Sequence, residues 1–210
     1  MKQQWETKRK FALDADRQSR QVLEAVLGDS SKPDPRAKAI QVYNTNSWPR
    51  TDVVFLSPKQ SSSGDHVFGP AAEPLWSQRL STGELAVLVK NIPPFSAETL
   101  TVGEGNSDTH DGAKIEGNVL ENDFLSASID PKAGTMTSLK SKKNGLEFVD
   151  SARGGLGEYL YVSGTDAQKA QHLWNVHVRT KERGDLIVSV LVEGDALGAK
   201  HFSSECDNPP

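Results

Sequence analysis

The sequence predicts a mainly β protein, an antiparallel β-sandwich preceded by one α-helix. Three observations carry this. The first 27 residues hold no Gly or Pro and place their apolar residues at helical spacing. From Ala37 onward the period changes to short β-branched and aromatic runs. Those runs are separated by frequent Gly, Pro, Asn, Asp and Ser clusters, which favours an antiparallel sandwich over βαβ units.

The helix is expected over Trp5–Leu27, rich in Lys, Arg, Glu, Gln, Ala and Leu. Phe11, Ala15, Val22 and Val26 share one face, widened by Ala12 and Leu23, while Lys8, Arg9, Arg17, Gln18 and Gln21 stay on the wet side. Gly28 suits the position after the last turn, and Pro33 and Pro35 prevent continuation. A lone helix of this length is marginal in water, so its apolar face expects a partner.

Strands are expected at Ile40–Asn44, Asp52–Leu56, Leu85–Val89, Glu98–Val102, Asn118–Glu121, Leu125–Ile129, Thr135–Lys140, Glu147–Val149, Glu158–Val162, Asn175–Thr180 and Asp185–Glu193. Leu125, Ala127 and Ile129 alternate with Ser126, Ser128 and Asp130, the pattern of a half-buried strand. Lys143-Asn144-Gly145 predicts a hairpin turn, because Asn-Gly accepts positive φ cheaply. Lys59–Pro74 and Gly103–Ala113 read as polar loops, the second separating an N-terminal β subdomain from a larger sandwich. Ala199–Pro210 reads as a loose tail, leaving a sandwich with an exposed edge.

Composition bounds the function. The 210 residues carry a net charge of −4 with acids and bases mixed along the chain, which argues against a phosphate-binding, nucleic-acid surface. A single cysteine, Cys206, excludes an internal disulfide framework. No apolar run approaches the roughly 20 residues a membrane helix needs. The charged N-terminus does not resemble a signal peptide, so a cytoplasmic setting is the default expectation.

Several segments resemble the post-catalytic region of glycoside hydrolase family 38 α-mannosidases. Val42–Val54 is similar to the strand that opens the family's β region, with its N-x-x-x-W-x-R core at Asn44, Trp48 and Arg50. Asn91-Ile-Pro-Pro-Phe95 resembles the V-P-P turn before a strand. Leu120–Leu125 followed by Ile129–Leu139 is similar to the pattern LEN-x-F-L and ID-x-x-x-G-x-I-x-S-L. Phe11–Arg20 looks like the last helix of the three-helix segment in bacterial members. The physics agrees: Asn44 can satisfy turn backbone, Trp48 can cover the core, Pro93-Pro94 sets an extended strand entry, and Asp130-Pro131 with Gly134 makes a turn. These are folding signals, and fold alone does not deliver function.

The resemblance implies a division into residues 1–28, the terminal helix of the helical segment; 37–103, a small β subdomain; and 114–210, the first part of the large, galactose-mutarotase-like supersandwich. It implies a role as the non-catalytic β portion bordering an α-mannoside cleft. The partner would be an α/β catalytic domain upstream, holding zinc or another divalent metal and an aspartate nucleophile. By the same resemblance Gly157-Glu-Tyr-Leu-Tyr161 is similar to the family's G-A-Y-L-F strand, whose tyrosine touches substrate, and this carries over to Tyr159. Against it stands an ordinary edge or core tyrosine. Tyr161 shares its face and is the weaker candidate.

Chemistry within the chain is sparse. Retaining glycosidases need two carboxyl groups about 5 Å apart, and no motif marks such a pair. His66, His110, His172, His177 and His201 form no ligand spacing, and Asp108-Thr-His110-Asp111 reads as a solvated loop. No helix follows Gly154-Gly-Leu-Gly157 to make a phosphate loop, so the run reads as a bend where backbone approaches another element. Cys206 has no activating neighbour in sequence. The chain alone is therefore expected to be inactive. The alternative readings are a freestanding carbohydrate-binding module, whose row of exposed aromatics the spaced Trp48, Trp76 and Trp174 do not supply, and a purely structural β-sandwich.

Overall fold

The computed structural model describes residues 2–27, 39–107 and 112–208. The helix-ending signals at Gly28, Pro33 and Pro35, and the Asp108–Asp111 string with His110, lie outside the described residues. The chain divides into two units, Met1–Lys38 and Ala39–Pro210.

The first unit carries α1 (Lys2–Leu27), starting three residues earlier than expected. Arg17 pairs with Asp14 at 2.9 Å and Arg20 with Asp16 at 3.0 Å, the i,i+3 and i,i+4 spacings that support a solvated helix. Phe11, Val22 and Leu23 are exposed.

The second unit opens with β1 (Ala39–Asn44), β2 (Arg50–Leu56), β3 (His66–Phe68), β4 (Pro74–Leu75), β5 (Ser77–Arg79), β6 (Leu85–Ile92) and β7 (Ser96–Gly103). They form two antiparallel sheets, ordered β1-β7-β3-β4 and β2-β6-β5. Leu56, Val67, Leu85, Val87, Val89, Leu100 and Val102 fill the space between them. Beyond these come β8 (Lys114–Glu116), β9 (Val119–Glu121), β10 (Leu125–Ile129), β11 (Met136–Ser141), β12 (Trp174–Arg183), β13 (Val188–Asp195) and β14 (Phe202–Asn208). Their sheets run β11-β10-β9-β8 and β12-β13-β14, around a core that includes Ile115, Leu120, Ile129, Val188, Val190 and Val192.

The two cores meet through β6. Leu85, Val87 and Val89 face the first core, whereas Ala86 and Leu88 pack on Leu186 and Ile187. Both faces of β6 are therefore covered, which is why its sequence is an unbroken apolar run instead of an alternation. Gln78 fastens the same junction. Its Nε2 donates to Ile187 O at 2.9 Å, and its Oε1 accepts from Leu186 N at 3.0 Å and Ile187 N at 2.7 Å.

The turns with the clearest local signals form as read. Asp130 Oδ1 accepts from Lys132 N at 2.8 Å, Gly134 takes φ +69°, and β10 and β11 pair across the turn. Gly145 takes φ +71° and returns the chain along β11. On that return Glu147 accepts from Ser138 Oγ, Leu139 N and Val149 N, and these bonds to the charged form lower its carboxyl to a pKa of about 2.

Other expectations are corrected. Glu147–Val149 is not a strand; only Glu147 bridges Lys140, because the carboxylate bonds replace a ladder. Glu158–Val162 is not a strand either; Tyr161 makes one bridge, to Gln171. The expected loop Lys59–Pro74 contains β3, drawn into the sheet by pairing with β7. Leu186 and Ile187, read as strand, lie ahead of β13 in the junction core. The tail is not loose. Residues 202–208 form β14, paired with β13 from Val188 to Gly194. Trp48 does not cover the core and is 60% exposed.

Candidate functional site

Tyr159 lies in an irregular stretch between β11 and β12 that backbone contacts hold in place. The glycine run is a close approach, as the bend reading requires. A Cβ on Gly155 would run into the Thr135 side chain, and Leu156 exchanges both backbone hydrogen bonds with Met136, at 2.8 and 3.0 Å. Gly157 then turns the chain with φ +76°. Tyr161 and Gln171 exchange backbone bonds of 2.9 and 2.8 Å, closing the loop over residues 162–170. Within it Asp166 caps a short 3-10 turn, Ala167–Lys169, by accepting from Gln168 N at 3.0 Å.

The Tyr159 hydroxyl donates to Leu197 O at 2.7 Å. Its ring meets Phe202 of β14 edge-on, with centroids 5.3 Å apart. The ring of Tyr161 lies against Gly198, where a Cβ would collide with it. Both tyrosines are thus anchored to the β13–β14 connection. Tyr159 is half-buried, and its hydroxyl proton is committed to the protein, so toward a ligand it offers oxygen lone pairs and a ring face.

Sequence reasoning missed the neighbours that complete this site. Glu158 Oε1 lies 2.9 Å from His172 Nδ1. Both line a cavity of about 260 Å³ with Lys132, Ala133, Tyr159 and Leu173. Leu197 and Phe202 were also unmarked, since they belong to the connection and tail after the last expected strand. Several exposed apolar side chains stand in the same stretch, among them Leu156, Leu160 and Val162.

The remaining candidates are separated. His66 stacks on Phe68 at 4.2 Å, His177 is exposed on β12, and His201 Nε2 is 3.8 Å from Glu193. Among the described residues no group of three or more His, Cys, Asp or Glu is gathered where it could hold a metal ion. Cys206 packs beside the second core, where burial pushes its thiol up and keeps it protonated. No described helix is long and apolar enough to cross a membrane.

The arrangement defines a mainly β, antiparallel sandwich protein with one N-terminal helix. Its fold is that of part of the family 38 α-mannosidases. The crystal structure of an α-mannosidase from Enterococcus faecalis V583 superposes with a TM-score of 0.51 at 20% identity, covering 86% of this chain and 26% of that one. A glycosyl hydrolase family 38 protein from Enterococcus faecalis matches with a TM-score of 0.52, the same identity and the same coverage. This chain therefore spans about a quarter of the length of either neighbour. No family model and no curated protein matches the sequence.

Proposed function

We propose that this chain is the non-catalytic β portion of an α-mannosidase and borders a cleft whose catalytic residues belong to a separate α/β domain. The observation that carries this reading is the fold match, which takes in 86% of this chain but only 26% of the α-mannosidase. In this reading residues 1–28 end a helical segment, 37–103 form a small β subdomain, and 114–210 are the first part of a larger sandwich. Zinc or another divalent metal, with the nucleophile, belongs to the α/β partner. The exposed Leu156, Leu160 and Val162 support the reading, because apolar groups outside a core suit a surface that another domain covers.

Tyr159 is the residue we assign to the substrate side. Its anchorage at Leu197 and Phe202 supports this, since a fixed aromatic ring binds with little further loss of freedom. The test is kinetic, with this chain joined to the α/β catalytic portion. Tyr159→Ala is expected to lower kcat/KM for an aryl α-mannoside by about tenfold or more, about 1.4 kcal/mol of lost binding. Tyr159→Phe removes the bond to Leu197 and the oxygen lone pairs but keeps the ring, and is expected to cost less. Unchanged kinetics in Tyr159→Ala would remove Tyr159 from the site.

A further inference from the structure

A cavity of about 300 Å³ lies where the two cores meet, between the β5 segment and the turn from β12 to β13. Leu186 of the junction core and Trp76 packed against it give an apolar wall, and Gln78, Arg79, Arg183 and Asp185 are among the polar residues that line the rest. The frame is fixed. Gln78 holds the Leu186 and Ile187 backbone, Ala113 N donates to Asp185 O at 2.8 Å, and Gly184 passes so close that a Cβ would strike the Gln78 amide. Most of the polar capacity is spent inside the protein, since the Gln78 amide serves that backbone and Arg79 is bonded to Asp65, Ser61, Gly64 and Gly83. Two exposed groups stand apart. The Arg183 guanidinium, a fork of N–H donors, makes a single long bond of 3.4 Å to Ile115 O. The Asp185 carboxylate has no hydrogen-bond or ion-pair partner among the described residues, so the two charges are not paired with each other.

We propose that this cavity binds a free apolar α-amino acid, its carboxylate taken by Arg183, its ammonium by Asp185 and its side chain by the wall of Trp76 and Leu186. Opposite unpaired charges on one fixed turn match a zwitterion, whereas a ligand with one charge leaves the other protein charge unanswered. A guanidinium meets a carboxylate through parallel N–H···O bonds, the strongest arrangement open to Arg183. Lys90 Nζ already lies 3.6 Å from the centre of the Trp76 ring, so the indole does not serve the ligand's ammonium and that role is left to Asp185. Asp65 adds little, because Arg79 neutralises it. The volume is at the lower end of small-ligand pockets, the size for one amino acid, and a junction between packed parts is a common place for such pockets. Occupancy ties β5 to the β12–β13 turn and stiffens the junction. The site shares no lining residue with the Tyr159 cavity.

The experiment follows the Trp76 indole N–H signal by NMR while the intact chain is titrated with L-phenylalanine. Two comparators carry one charge each: hydrocinnamate has the carboxylate without the ammonium, and phenethylamine has the ammonium without the carboxylate. We expect saturable shifts at millimolar phenylalanine and binding about tenfold weaker for each comparator. Arg183→Gln and Asp185→Asn change exposed side chains, the first with one long bond and the second with none, so both variants should keep the fold. Each should weaken phenylalanine binding about tenfold. The effects should also cross. Asp185→Asn leaves hydrocinnamate binding unchanged, and Arg183→Gln leaves phenethylamine binding unchanged. No saturable shift in the unaltered chain, phenylalanine bound no better than hydrocinnamate, or undiminished phenylalanine binding in either variant would overturn the site.

Discussion

Replacing Asn44 by alanine is expected to destabilise the β unit by about 3 kcal/mol, one of the larger effects available outside the cores. Asn44 is 4% exposed. Its Nδ2 donates to Trp48 O at 2.8 Å, Ile92 O at 2.9 Å and Pro93 O at 3.0 Å, and its Oδ1 accepts from Asn46 N at 3.0 Å. One amide thus ties the loop after β1 to the turn after β6, two segments with no other shared sequence signal. Alanine would leave the Ile92 carbonyl without its partner in a buried place and strip the half-buried groups of Trp48, Pro93 and Asn46 of theirs, and a buried orphan costs roughly 1–3 kcal/mol. Asn44→Asp is the sharper variant. It has nearly the same shape, yet it sets a carboxylate against three carbonyl oxygens and loses both donors. We expect thermal unfolding to fall by about 10 °C in either variant, from the usual scaling for a domain of this size. Equal stability of Asn44→Asp and the unaltered chain would show that the donor network is not what holds the turn.

The second large effect is expected at Arg79. Its guanidinium meets Asp65, Ser61 Oγ at 2.6 Å, Ser61 O at 3.1 Å, Gly64 O at 3.2 Å and Gly83 O at 2.8 Å. These acceptors belong to the loop before β3 and the turn before β6, so one planar cation organises both. Arg79→Met keeps the length of the stem but leaves Asp65 unpaired, which for a buried pair costs about 3–5 kcal/mol. Both partners retain 30% side-chain exposure, so water screens part of the loss and about 3 kcal/mol is the expected value. Arg79→Lys should recover less than half, because an ammonium lacks the fork that reaches several acceptors at once. Pairing Arg79→Met with Asp65→Asn should return part of the stability in chemical denaturation. If the double variant is no more stable than Arg79→Met, the charge pair is not the source of the effect.

Residues whose structure depends on their own neighbours were legible in the sequence. Leu85–Val89, the Asp130–Gly134 turn, the Asn144-Gly145 turn and α1 each carry their signal within a few positions. The Asn44 clasp was legible in kind, as an amide serving turn backbone, but not in its reach to Ile92 and Pro93. What failed was decided at a distance. Ser203-Ser-Glu-Cys-Asp-Asn208 has weak strand propensity, and it becomes β14 because the edge of β13 offers it a continuous ladder. Glu158-Tyr-Leu-Tyr-Val162 has strong strand propensity, yet the Gly155 approach, the Gly157 turn and the contact of Tyr161 with Gly198 hold it out of any sheet. In the candidate site Tyr159 entered only through a family resemblance. No spacing rule joins Glu158 to His172, because the loop that brings them together is closed by the Tyr161–Gln171 bridge.

The most direct test of the account is the rate of aryl α-mannoside hydrolysis by this chain, alone and combined with the α/β catalytic portion of a family 38 α-mannosidase, with zinc added throughout. Retaining hydrolysis needs a nucleophile and an acid carboxyl facing each other about 5 Å apart, and we assign both to the partner. The expected result is background hydrolysis from the chain alone and metal-dependent turnover on combination. Metal-dependent turnover by the chain alone, abolished by replacing one of its own carboxylates, would contradict the account.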